Sequence, residues 1–161
     1  MKRRIFLIPL VFLSALMLCV SIMSSGSLRL LRVHGNSMAP SYEDGQFVLC
    51  QTAELNLIGY PVCWVQTKNG NNIIKRLIGY PGDVVSLSGG NTYVNDCFIC
   101  SYQPDYDGEC VFELGEDEYL FLGDNRGDSI DGRHWAEPYV SRDQIKGVII
   151  DSQLDLREEG D

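Results

Sequence analysis

With 161 residues and 45% hydrophobic content, the chain has material for one membrane-crossing segment and one domain of ordinary size, not for a second full domain. Its net charge is −9, and setting aside Lys2, Arg3 and Arg4 (13 less 3) leaves 10 basic against 22 acidic residues, or −12. That balance argues against nucleic acid as a partner, because nucleic-acid binders present basic patches.

The three basic residues precede an apolar run from Ile5 to Met23, interrupted only by Ser14 and Ser21. About 19 residues rising ~1.5 Å each span about 28 Å, enough to cross a bilayer. The flanking charge predicts a cytoplasmic N-terminus over 1–4, an anchor over 5–23 and an outer-face domain over 24–161, although Arg29 and Arg32 weaken the asymmetry. The alternative is a cleaved signal peptide, for which Ser24-Ser25-Gly26-Ser27 offers a cleavage site. Such peptides carry an apolar region of only ~7 to 15 residues, so the length favours a retained anchor.

Beyond the anchor, short apolar runs broken by glycine, proline, asparagine and aspartate predict strands and little helix. Strands are expected near Leu28 to His34, Phe47 to Cys50, Val62 to Gln66, Ile73 to Gly79, Val84 to Ser88, Thr92 to Asn95, Tyr119 to Leu122 and Lys146 to Ile150. Gly89-Gly90-Asn91 reads as a hairpin turn. Cys97 to Glu118 reads as an irregular, acidic excursion, either a loop or a small extra hairpin. The fold class is mainly β: a single N-terminal transmembrane helix followed by an antiparallel β domain. No internal repeat or low-complexity tract is present.

Two stretches carry chemistry. In Gly35-Asn36-Ser37-Met38-Ala39-Pro40, a serine sits among small residues and proline, where a turn can project its hydroxyl. In Ile73-Ile74-Lys75-Arg76-Leu77-Ile78, apolar neighbours can strip water from an ammonium and lower its pKa. An unperturbed lysine titrates near ~10.4 and a useful base near roughly 7 to 8, a difference of about 3 to 5 kcal/mol that burial can supply. Alone, Ser37 could equally be a turn serine; paired with a neutral Lys75 it becomes a nucleophile with its base.

Three separated motifs, Ser37-Met38-Ala39-Pro40, Lys75-Arg76 with Gly79-Tyr80-Pro81-Gly82-Asp83, and Gly123-Asp124-Asn125-Arg126-Gly127-Asp128-Ser129-Ile130-Asp131-Gly132-Arg133, occur in order. On them the chain, from the anchor to about Leu154, resembles bacterial type I signal peptidases. These are membrane-anchored Ser-Lys endopeptidases that remove signal peptides from exported proteins after small residues. The resemblance implies a barrel-like signal peptidase catalytic domain, a place in the plasma membrane, precursor signal peptides and the lipid bilayer as partners, and no cofactor or metal.

It also implies roles. Ser37 attacks the scissile carbonyl, Lys75 takes and returns the proton, and the Ser37 N–H forms part of the oxyanion hole. Gly35 stands where some relatives carry a second serine, so no side-chain donor comes from that position. Ser129 hydrogen-bonds the lysine, Asp131 supports it through Arg133, and Arg76 pairs with Asp124 or another carboxylate. Gly132 replaces a serine found in many relatives, a departure expected to leave activity in place. An extended peptide would add as a strand between Leu31–His34 and Asn72–Ile74, with Val33, His34, Met38, Tyr42, Ile73 and Ile74 as substrate-binding residues. The plain alternative for these residues is core packing.

A Ser-His-Asp triad would need His34 or His134, and the third motif accounts for the surroundings of His134 without a catalytic role. Outside the membrane stand Cys50, Cys63, Cys97, Cys100 and Cys110, an odd number. Cys97, Cys100 and Cys110 could be three zinc ligands lacking a fourth, and the favoured reading is one disulfide within the excursion. Two other functions stand beside the general enzyme: a dedicated pilin or conjugation-protein processing peptidase, and an inactive membrane-tethered binding protein.

Overall fold

The computed structural model describes residues 27–102 and 109–150, together with Leu13, Ser14 and Met17, which are helical. The expected cytoplasmic N-terminus over 1–4 and most of the expected anchor over 5–23 lie outside the described residues. No helix among the described residues is long and apolar enough to cross a membrane.

Eleven strands follow: β1 (Leu28–Arg32), β2 (Phe47–Gln51), β3 (Val62–Gln66), β4 (Asn72–Gly79), β5 (Val84–Ser88), β6 (Asn91–Val94), β7 (Cys97–Ser101), β8 (Cys110–Glu113), β9 (Tyr119–Leu122), β10 (Tyr139–Val140) and β11 (Ile145–Ile149). All pairings are antiparallel. A seven-stranded sheet has the order β1-β2-β11-β3-β4-β9-β10, and a four-stranded sheet the order β7-β6-β5-β8.

The turn between β4 and β5 joins the sheets. Pro81 supplies the fixed φ at its second position and Gly82, at φ +86°, the left-handed third position, closed by Asp83 N–H donating to the Tyr80 carbonyl at 3.0 Å. The Asp83 carboxylate accepts from the Tyr80 N–H at 2.9 Å. Beyond the turn, Ile78, Val85, Phe112, Leu114, Leu120 and Leu122 form the core shared by the two sheets. A second core gathers Val33, Met38, Tyr42, Val48, Val62 and Ile149, and a third Cys63, Val65, Leu77, Phe121, Val140 and Ile145. β2 and β11 bury alternate residues, whereas β4 is buried on both faces from Lys75 to Gly79.

Each expected strand has a counterpart, but β1 ends at Arg32, two residues before the expected His34. The segment 97–118 is not simply irregular: β7 and β8 lie within it and form the two edges of the smaller sheet. Asn95 and Asp96, at φ +52° and +64°, make a two-residue turn that folds β7 back on β6, as Gly89 and Gly90 do between β5 and β6.

This arrangement overturns the expected disulfide. Cys100 and Cys110 share a cross-strand row, through Thr92 and Leu87, on opposite edges of the sheet. Three strand spacings of ~4.8 Å separate them by about 14 Å, twice the ~7 Å limit for a disulfide. Cys97 and Cys100 are three residues apart on one extended strand, about 10 Å. All five described cysteines are free thiols.

Gly79 ends β4 where the sheets meet, and a Cβ there would lie 2.7 Å from Val85 Cγ2 and 2.9 Å from Leu114 Cδ2. Gly79→Ala is expected to cost about 1–3 kcal/mol by overpacking. The urea midpoint should fall at an unchanged slope, and an unchanged midpoint would contradict this packing.

Candidate active site

Ser37 lies in a turn after β1 whose entry needs Gly35, held at φ +79°. No atom lies within 4 Å of a Cβ built there, so backbone conformation, not space, favours glycine. The Gly35 N–H donates to Asp44 Oδ1 at 2.8 Å, and Met38, 1% exposed, pins the turn into the second core. No described residue accepts from the Ser37 N–H.

Lys75 Nζ lies 2.5 Å from Ser37 Oγ. The lysine is 5% exposed, and burial holds its pKa below the ordinary 10.5. Asp131 and Asp124 pull in the other direction and Arg133 adds to the lowering, but desolvation prevails. Across the ladder from Lys75 stands Cys63, whose thiol burial pushes up to about 12, so it brings no charge beside the amine.

The next residue of β4 is equally buried but charged. Arg76 donates from Nε to Asp124 Oδ1 at 2.7 Å and from Nη2 to Asp124 Oδ2 at 2.6 Å, while Nη1 donates to the Tyr60 carbonyl at 2.9 Å. Asn125, adjacent to Asp124, reaches the Ser37 turn: its N–H donates to the Ser37 carbonyl at 3.0 Å and its Nδ2 to the Asn36 carbonyl at 3.1 Å. Gly123 allows this approach, since a Cβ there would lie 2.5 Å from the Ser37 carbonyl oxygen and 2.2 Å from Ser129 Oγ. Asn36, Gly123 and Asn125 belong to the sequence motifs but carry no individual role there, because the contact between Asn36 and Asn125 joins positions 89 apart.

Asp131, fully buried, is the acceptor of a second network. Arg133 donates to it from Nε at 2.8 Å and Nη2 at 3.0 Å, the Gly123 N–H at 2.8 Å and Ser129 Oγ at 2.7 Å. Burial alone would raise its carboxyl, but these donors, Arg133 foremost, hold it below the ordinary carboxylate range. Ser129 therefore differs from the role the resemblance implied. Its hydroxyl donates to Asp131, while the Lys75 amine is bonded to Ser37. Gly132 has no space for a side chain, with a Cβ 2.7 Å from Leu120 Cδ1 and 3.0 Å from the Pro138 carbonyl oxygen. His134 is 42% exposed at its side chain, 3.8 Å from Asp131.

A cleft of about 130 Å³ opens at the dyad. Val33, His34, Met38, Ile73 and Ile74 line it with Ser37 and Lys75, as do Arg32 and Asn72, which lie in the expected flanking strands but carry no individual role in the sequence. Tyr42 does not: its side chain is 4% exposed and packs in the core with Val33 and Met38. Between Asn72 and Lys75 one edge of β4 has no strand partner among the described residues, because β9 pairs only with Arg76, Leu77 and Gly79. β1 is the terminal strand of the same sheet, so two unpaired edges flank the cleft. Among the described residues, no three His, Cys, Asp or Glu side chains gather as a metal-binding group.

The family described as signal peptidase, peptidase S26, matches residues 3–150. A probable signal peptidase I-2 from Synechocystis sp. is 38% identical over 92 residues, 54% of this chain and 41% of that protein. Signal peptidase I U of Bacillus subtilis is 28% identical over 132 residues, 72% of this chain and 70% of that one. The match thus spans less than half of the first relative and about 70% of the second. A crystal structure of a signal peptidase I from Enterococcus faecalis V583 shares the fold, with a TM-score of 0.50 at 21% identity over 60% of this chain and 99% of that chain. The chain belongs to the signal peptidase family, peptidase S26.

The buried Arg76–Asp124 pair yields a stability prediction. Asp124→Ala leaves a guanidinium buried without its carboxylate and is expected to cost about 3–5 kcal/mol in urea unfolding. The double variant Arg76→Met with Asp124→Leu should cost less than the sum of the two single changes. Additive losses would contradict a direct ion pair.

Proposed function

We propose that the chain is a membrane-anchored serine endopeptidase that removes N-terminal signal peptides from exported proteins after small residues. Ser37 is its nucleophile and Lys75 its general base. The observation that carries this reading is the buried lysine amine, its pKa lowered by desolvation, 2.5 Å from the serine hydroxyl. In the proposed topology residues 1–4 are cytoplasmic, 5–23 span the membrane and the β domain stands on the outer face.

In this mechanism an extended precursor segment enters the cleft as an added strand between β1 and the free edge of β4. Its small side chains before the cut fill the shallow pockets made by Val33, Met38, Ile73 and Ile74. Neutral Lys75 accepts the Ser37 proton as Oγ attacks the scissile carbonyl, and the Ser37 N–H stabilises the oxyanion. The ammonium then protonates the leaving amine, and the scissile C–N bond breaks to leave an ester on Ser37. Lys75, neutral again, takes a proton from the water that hydrolyses this ester. Asp131 and Asp124 favour the ammonium when it forms, and Ser129, Arg133 and Arg76 hold those carboxylates in place.

Ser37→Ala and Lys75→Ala should each reduce cleavage of a purified precursor by about 10⁴-fold or more. For the unaltered chain, kcat/KM should rise with pH as Lys75 loses its proton, because the neutral amine is the active form. The midpoint should lie below the ordinary 10.5. Equal cutting by all three proteins, or a rise only near 10.5, would contradict the assignment.

A further inference from the structure

The charge of the cleft runs against that of the molecule. The chain carries 22 acidic residues and a net charge of −9, yet no acidic residue lines the cleft. Lys75 at its inner end is buried against Ser37, which leaves Arg32 as the exposed permanent charge along the walls.

Arg32 is held in place without being neutralised. Its guanidinium lies over the Phe47 ring at 6.0 Å and beside Gly45, where an added Cβ would lie 3.3 Å from Nη2. No carboxylate among the described residues pairs with it, and nearby Asp44 accepts from the Gly35 N–H. On the facing strand, Trp64 Nε1 donates to Asn72 Oδ1 at 3.0 Å. An indole nitrogen can only donate, so this bond fixes the amide and leaves Nδ2 as a donor with no partner among the described residues. Arg32 and Asn72 therefore make the outer end of the cleft a donor-only site, complementary to a carboxylate.

Its position sets which substrate residue it meets. Asn72 precedes Lys75 by three residues, and an extended strand advances ~3.3 Å per residue, so the outer end lies about 10 Å from the base. With the residue before the cut seated at the dyad, the fourth or fifth residue before the cut falls there.

We propose that the paired donors Arg32 and Asn72 select precursors carrying an acidic side chain at the fourth or fifth residue before the cut. This rests on the signal peptidase reading of the cleft. The test uses the full chain in detergent and three series of otherwise identical precursor peptides, with Glu, Gln or Lys at those positions. At low salt the Glu peptide should be cut about threefold faster than Gln and about tenfold faster than Lys, the scale of exposed charge pairs. The spread should shrink as salt rises. Arg32→Gln should level the three rates and Arg32→Glu should reverse their order. Equal rates in the unaltered enzyme, or a Glu preference that survives in Arg32→Glu, overturn the selectivity alone. Failure to cut even the Gln peptide overturns the peptidase reading and the selectivity with it.

Discussion

The structure turns on a dry lysine. An ammonium in water cannot take a proton from a hydroxyl, so a serine and a lysine become useful to one another only where the amine is poorly solvated. β4 provides that setting because from Lys75 onward both of its faces are covered. Leu77 and Ile78 point into different cores, and Cys63 stands uncharged opposite Lys75. The strand that desolvates Lys75 is thus the central support of the domain, and the local dielectric at Nζ follows from how the sheets pack.

Holding the serine against that amine is a separate task, met by two adjacent residues. Asp124 grips Arg76, the neighbour of Lys75, and Asn125 grips the carbonyls of Asn36 and Ser37. One dipeptide therefore links the strand carrying Lys75 to the turn carrying Ser37, and Gly123 lets it come close enough to do so. Further along the same loop Arg126 is buried, its guanidinium over the Tyr102 ring at 4.1 Å and its Nη1 bonded to Thr92 at 3.1 Å, tying the loop to the smaller sheet. Its Nη2 has no hydrogen-bond partner among the described residues, an uncommon cost for a buried guanidinium.

What could be read in the sequence was local. Alternation and turn residues located the strands, and the settings of Ser37 and Lys75 drew attention before their side chains were seen to meet. The 97–118 segment concealed β7 and β8, because edge strands of four and five residues among acidic neighbours lack a clear alternation. The contacts that build the site were harder to read. Tyr42 follows Ser37 closely yet turns into the core, Ser129 chose Asp131 over Lys75, and Asn125 acts on a turn 89 positions away. Each depends on tertiary approach, which residue type and spacing do not encode.

The central claim concerns one proton, and it can be followed directly. The chain has four lysines, so lysine labelled with ¹³C at Cε gives few resonances to titrate by NMR, and Lys75→Arg identifies the one of interest. The Lys75 signal should titrate below the ordinary 10.5 and below those of the other lysines. A signal that titrates with the other lysines, at or above that value, would contradict the claim.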